Sequence, residues 1–218
     1  MSVYELIARL PDIDRVRRGS RALAMLDAVL SRDPAYCYYS FDGRWSDTEE
    51  AALMNNGSGD NYAIVFSPEG AFGLGFDHES PVSPHRDDGR VEVWPGLLDG
   101  VPDALAAAAD EPAFKLDGVT MATVGFWRRT GDVAWQCGPV EGVEQDGANW
   151  LFDLLVDGRP EAYLTFAEEY YEVALELDAV AHVYALMPLT EEIVTALNPE
   201  VMLKDLKDDI AEIGYPRS

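Results

Sequence analysis

The 218 residues carry 40 acids against 16 bases, a formal charge of −24, with 48% hydrophobic and 11% aromatic residues. That composition excludes a disordered chain. A surface of that sign repels phosphate backbones and anionic lipids, so neither nucleic acid nor membrane is expected as a partner. It suits a basic protein partner; GC-biased coding, with only three lysines among the bases, or high-salt adaptation would give the same excess without one.

The two cysteines, Cys37 and Cys137, lie far apart in apolar runs and read as reduced, buried thiols. No basic segment followed by an apolar run opens the chain, and no stretch approaches the roughly 18 apolar residues of a membrane span. A cytoplasmic protein is expected, and its oligomeric state is not legible.

Residues 1–32 hold six arginines and four acids, net +2, leaving −26 for the other 186 residues. Over 12–31, Ile13, Val16, Leu23, Leu26 and Leu30 share a helical face, while Arg17, Arg18, Arg21 and Arg32 fall opposite. This predicts a helix docked by its apolar stripe, its arginines facing water or the acidic body. After Pro34 the pattern alternates: Cys37, Tyr39 and Phe41 against Tyr36, Tyr38 and Ser40, a strand signature. "EEAALMNN" suits strand or helix, so residues 49–55 stay open between the two. The turn cluster at 55–60 follows, and then "NYAIVFS" and "AFGLGFD" read as a hairpin. Residues 36–78 are therefore expected to form an antiparallel meander.

Residues 95–110 suggest two short helical pieces broken at Gly100 and Pro102. "VTMATVGFW" and "DVAWQC" predict a second hairpin around Thr130-Gly131. From 149 the period becomes helical: "NWLFDLLV", "PEAYLTFAEEYYE" with Pro160 in its first turn, and "PLTEEIVTALNP" capped by Thr190 and stopped at Asn198-Pro199. The last segment spaces Leu203, Leu206, Ile210 and Ile213 on one face before Gly214. The expectation is one α+β domain over 1–218: a helical arm over 1–32, a mainly antiparallel sheet over 36–138 (meander plus hairpin) and helices over 149–213.

The order YYSF…GSGD…GFDHES…EIGYP, at residues 38–41, 57–60, 75–80 and 212–216, resembles that of a set of uncharacterised bacterial proteins of similar length. In architecture the chain is also similar to acidic α+β immunity proteins that neutralise toxins, such as the SUKH group. That resemblance implies a binding role and transfers no active-site residue.

One stretch invites chemistry. "GFDHESPVSPHRDD" packs His78 and His85 among Asp77, Glu79, Asp87 and Asp88, with Asp60 in the flanking hairpin. Continued as a strand, it places Phe72, Leu74, Phe76 and His78 on one side and Gly73, Gly75, Asp77 and Glu79 on the other. The glycines leave a flat strip that a helix, a backbone or a ligand can approach. Asp77 and Glu79, about 6–7 Å apart at strand spacing, are the carboxylate pair of an acid–base hydrolase reading that also recruits His78 and His85. As metal ligands, His78 and His85 are two where zinc needs three or four, seven apart with two prolines between, and His182 lies about 100 residues on. Gly57-Ser58-Gly59 lacks the lysine and helix of a phosphate loop and reads as a turn. Cys137 reads as a buried strand cysteine with no base beside it.

No complete catalytic set is spaced to assemble, and no cofactor is expected. The preferred reading is a non-catalytic, immunity-like binding protein that engages a basic partner. Its candidate contact residues are Asp77, Glu79, Asp87 and Asp88 in the loop, and Glu168, Glu169, Glu172 and Glu176. The last group includes three acids at i,i+4 spacing if one helix runs through them. The alternative is a metal-assisted or acid–base hydrolase centred on Asp77–Asp88.

Overall fold

Alternation in "YSFD" buries Tyr39 and Phe41 and exposes Ser40, which makes the edge strand β1 (Tyr39–Asp42). "EEAALMNN" resolves as strand, β2 (Glu50–Asn55), because Ala52 and Met54 face the same core as Phe41. The hairpin β3 (Asn61–Ser67) and β4 (Gly70–Phe76) pairs Asn61 with Phe76 through Ser67 with Gly70. A short hairpin, β5 (Lys115–Leu116) and β6 (Val119–Thr120), turns at Asp117-Gly118, both at positive φ as a two-residue turn requires. Then β7 (Val124–Arg129) completes an antiparallel sheet of order β1-β2-β3-β4-β7. The computed structural model describes every residue except 1, 34, 35, 86–88, 90, 141, 142 and 218.

The helices are α1 (Val3–Arg9), α2 (Ile13–Leu30), α3 (Ala106–Ala109), α4 (Ala148–Leu151), α5 (Asp153–Asp157), α6 (Pro160–Tyr170), α7 (Leu177–Tyr184), α8 (Glu191–Leu197) and α9 (Lys207–Ile213). Thr190 caps α8 by accepting from the Ile193 N–H at 3.3 Å, and Gly214 ends α9 at φ +66°. The fold is α+β, with helices at both ends of the chain. Those outside 95–110 pack on one sheet face around Tyr62, Phe66, Phe126 and Phe152. The other face is covered by irregular chain, with Leu97, Leu105 and Val140 over Val65, Phe72, Leu74 and Trp127. Burial on both faces explains why β3 and β4 read as continuous apolar runs. Among the described residues, no helix is long and apolar enough to cross a membrane.

Several expectations change. The predicted 119–137 hairpin breaks up: Val119–Thr120 pairs with β5, and 132–137 meets β7 only at the bridge between Trp127 and Gln136. Trp135 draws the chain off the sheet, its indole donating to Pro11 O at 2.6 Å. The first piece of 95–110 is a series of turns, with Gly96 and Gly100 at positive φ, and only 103–109 is helical. The glutamate ladder does not form, because α6 stops at Tyr170, Glu172 turns to φ +57° and Glu176 lies, in extended backbone, just before the first residue of α7. Tyr171, Val173 and Leu175 reach the core through that break. On α2, of the two expected settings for the arginines, Arg17 and Arg21 take the acidic body: they lie over Phe66 and Phe41 and both pair with Glu50.

Asp27 is the largest departure from the wheel. It stands on the buried face of α2, fully enclosed, four residues after Leu23 and three before Leu30. Its Oδ2 accepts from the Tyr39 N–H at 2.6 Å and its Oδ1 from the Tyr163 hydroxyl at 2.7 Å. Tyr39 pairs with Met54 at a position where its N–H points away from β2. The carboxyl thereby closes an edge-strand donor, and Glu212 O closes another outward one four residues on, the Gly43 N–H, at 2.7 Å.

Candidate functional site

The strand expected to carry His78 and Glu79 ends at Phe76 instead. Asp77 then makes an Asx turn, its Oδ1 accepting from the Glu79 N–H at 3.0 Å, and the chain closes through Ser80 N–H to Asp77 O at 3.1 Å. The alternation argument therefore does not reach His78, whose side chain stands outside the apolar stripe and is 45% exposed.

What holds His78 is the β2–β3 turn. Asn56 Oδ1 accepts from the N–H groups of Ser58 (2.8 Å) and Asp60 (3.1 Å), and its amide donates to Asp60 Oδ2 at 2.7 Å. This fixes Asp60, nearly buried, under the end of β4. Its Oδ1 accepts from the His78 N–H at 2.8 Å and meets His78 Nδ1 at 2.6 Å. Burial alone would raise the Asp60 carboxyl, but hydrogen bonds from the His78 backbone, the His78 ring and Asn56 outweigh it and leave it lowered. The hydrogen bond to Asp60 correspondingly raises the His78 pKa, with the neighbouring acids adding to the shift.

Asp77 is held from the other side. Its N–H donates to Thr123 Oγ1 at 3.1 Å, and the Thr123 hydroxyl donates to Asp146 O at 2.7 Å. Its Oδ2 accepts from Trp150 Nε1 at 3.2 Å. Gly147, at φ +89°, lies so close that a Cβ there would sit 2.6 Å from Asp77 Cβ. Asp146 is buried; its carboxylate takes the N–H groups of Val3 (2.7 Å) and Ala148 (2.9 Å), which ties α1 to α4.

Asp60, Asp77 and His78 can each present a ligand atom within 4.8 Å of the others, the one such group among the described residues. The structure thus brings together Asp77 and His78 from the sequence-predicted set and adds Asp60. Glu79 and His85 do not join that group. His85 instead bridges to Val91 through its backbone. Asp87 and Asp88 lie outside the described residues. Three ligands with one open position would suit a catalytic cation, yet both carboxylates already accept hydrogen bonds that hold the turn together. The glycine strip is filled: a Cβ on Gly73 would stand 2.3 Å from Phe126, and one on Gly75 2.9 Å from Leu151 and Phe152. A side chain of the neighbouring strand β7 takes the strip at Gly73, and the end of α4 with Phe152 takes it at Gly75. Burial pushes the Cys37 thiol up to about 11 and raises Cys137 too, so neither supplies a thiolate near neutrality.

A histidine held this way has a defined titration. His78 is expected to titrate above its ordinary value, and Asp60→Asn to bring it back toward that value. Chemical-shift titration of the ring protons reads both. Its raised folded pKa means its stabilising contribution is full at low pH and lost as pH rises through that value. The lowered Asp60 loses its contribution in acid, which leaves the pair most stabilising in between. A His78 pKa unmoved by Asp60→Asn would refute the dyad.

Compared with known proteins, the chain finds no match among family models, curated sequences or solved structures.

Proposed function

We propose that this protein is a non-catalytic, immunity-like binding protein that engages a basic protein partner through its acidic surface. One observation carries the reading: an aromatic anchor set among uncompensated acids on the α6–α7 side. The Tyr170 ring, 39% exposed, stacks on Phe166 at 5.4 Å and meets Tyr38 and Tyr171 edge-on at 4.8 Å. It is held rigid at the surface, as interface anchors are. Glu168, Glu169, Glu172 and Glu176 around it are exposed, and among the described residues none of them forms an ion pair. Five arginines elsewhere are committed to other acids: Arg17 and Arg21 to Glu50, Arg32 to Asp209, Arg129 to Asp132, Arg159 to Asp157. A lysine or arginine of the partner set over Tyr170 would gain from the ring and the acids together. The hydrolase reading draws less support, because Asp60 and Asp77 are occupied as turn anchors and two of its four residues stand apart.

Purification from the native host at low ionic strength is expected to retain a basic protein that is released as salt rises. Glutamine at the four glutamates is expected to slow association by about tenfold, with an unchanged melting curve, and Tyr170→Ala to speed dissociation. Recovery of the chain alone, or only as copies of itself, at low salt would remove this function.

A further inference from the structure

On the opposite side of α2 from the sheet edge, a groove of about 520 Å³ runs between α2 and α5, within the size range of small-ligand sites. Its floor is apolar, built by Leu23, Leu154 and Leu155. Its rim is not: Arg9, Arg15 and Arg18 all line it, against one acid, Asp157. The bidentate hydrogen bonds of Arg159 already engage that acid, both at 2.8 Å, and lower its pKa, with Arg9 adding to the effect. Three guanidiniums around one concavity are conspicuous in a chain of charge −24. Among the described residues, Arg15 is held only by Asp12 at 4.0 Å with its side chain 79% exposed, and Arg18 only by Ala185 O at 3.5 Å.

Two further features point the same way. Gly19 lies mid-helix in the row Arg15-Gly19-Leu23, where glycine is a poor helix former. Nothing in the packing demands it: its φ is ordinary, and a Cβ there would meet its nearest neighbour, Leu155 Cδ2, at 3.6 Å, ordinary contact. The glycine keeps the groove open. At the groove's end Tyr184 also contributes to the lining, and its hydroxyl is buried with no hydrogen-bond partner among the described residues.

We propose that this groove binds a small organic oxyanion, a phosphate or carboxylate on an apolar body, with Arg15 and Arg18 on the anionic head and the Leu23–Leu155 floor under the body. Guanidinium groups suit such heads because their planar donors match two oxygens at once. The total charge does not forbid it. At physiological ionic strength the screening length is about 8 Å, so the rim sets the potential inside the groove.

Phenyl phosphate and benzoate, titrated calorimetrically into the intact protein at 0.15 M salt, provide the test. Saturable one-to-one binding of either, with Kd under about 1 mM, is expected, and the tighter probe identifies the head group. The double variant Arg15→Ala/Arg18→Ala, both at exposed positions, is expected to weaken binding by at least about tenfold. Gly19→Ala separates site from fold: the melting temperature is expected to rise by about 2–4 °C. Gly19→Leu is expected to keep that rise and abolish binding by filling the groove. No saturable binding of either probe up to about 10 mM would overturn the proposal. So would binding that the double variant or Gly19→Leu leaves intact.

Discussion

Replacing Asp27 by alanine is expected to cost about 3 kcal/mol at pH 5, because the buried Tyr39 N–H and Tyr163 hydroxyl both lose their acceptor. The cost is expected to shrink as pH rises. Burial pushes the Asp27 carboxyl up to about 6, although hydrogen bonds from Tyr163 and Tyr39 pull the other way. The folded pKa thus exceeds the unfolded one, so the native state holds the proton more tightly. This group's contribution is greatest below the unfolded value of about 3.9 and is lost as pH rises through about 6, a change of roughly 2–3 kcal/mol. Alanine lacks that term. Urea unfolding of both proteins at pH 5 and pH 7.5 measures about half of it, roughly 1.4 kcal/mol, because the unfolded carboxyl is already mostly ionised at pH 5. A penalty that grows with pH would mean that the carboxyl is held below its ordinary value and that the burial argument has the wrong sign.

Gly73→Ala is expected to destabilise by about 2–3 kcal/mol. An added Cβ would stand 2.3, 2.7 and 2.8 Å from three atoms of the Phe126 ring. That ring cannot retreat: it is fully buried, edge-on to Trp135 at 5.4 Å and to Phe152 at 5.1 Å. Gly73 faces Phe126 directly in the β4–β7 register. Phe126→Leu is expected to lower stability alone yet restore part of the loss in the double variant, the non-additive signature of a shared contact. Urea midpoints of the four proteins measure the cycle. A neutral Gly73→Ala would mean that the strip has spare room after all, as a ligand-accepting surface would.

Local pattern was enough to predict much of the architecture. The 61–76 hairpin followed from two apolar runs around Pro68-Glu69, and α2 from its stripe. Helices α6, α8 and α9 followed from Pro160, from Thr190 with Asn198-Pro199, and from Gly214, since turn chemistry and periodicity act over a few residues. The order of elements then implied an antiparallel sheet with helices at both ends. Four features depended on contacts between segments far apart in the chain. Residues 50–55 became strand because Ala52 and Met54 pack beside Phe41 and Tyr62, and 132–137 left the sheet because Trp135 reaches Pro11. His78 left its stripe because Asp60, 18 residues earlier, binds both its backbone and its ring. Asp27 was readable in part: its spacing from Leu23 and Leu30 puts it on the apolar face, but its charge argued against burial there. Only Tyr163, 136 residues away, and an outward-pointing N–H on β1 make that burial tolerable. Periodicity reports which side of an element faces inward; which partners wait there is decided by the tertiary fold, because a buried polar group is stable only where distant donors converge on it.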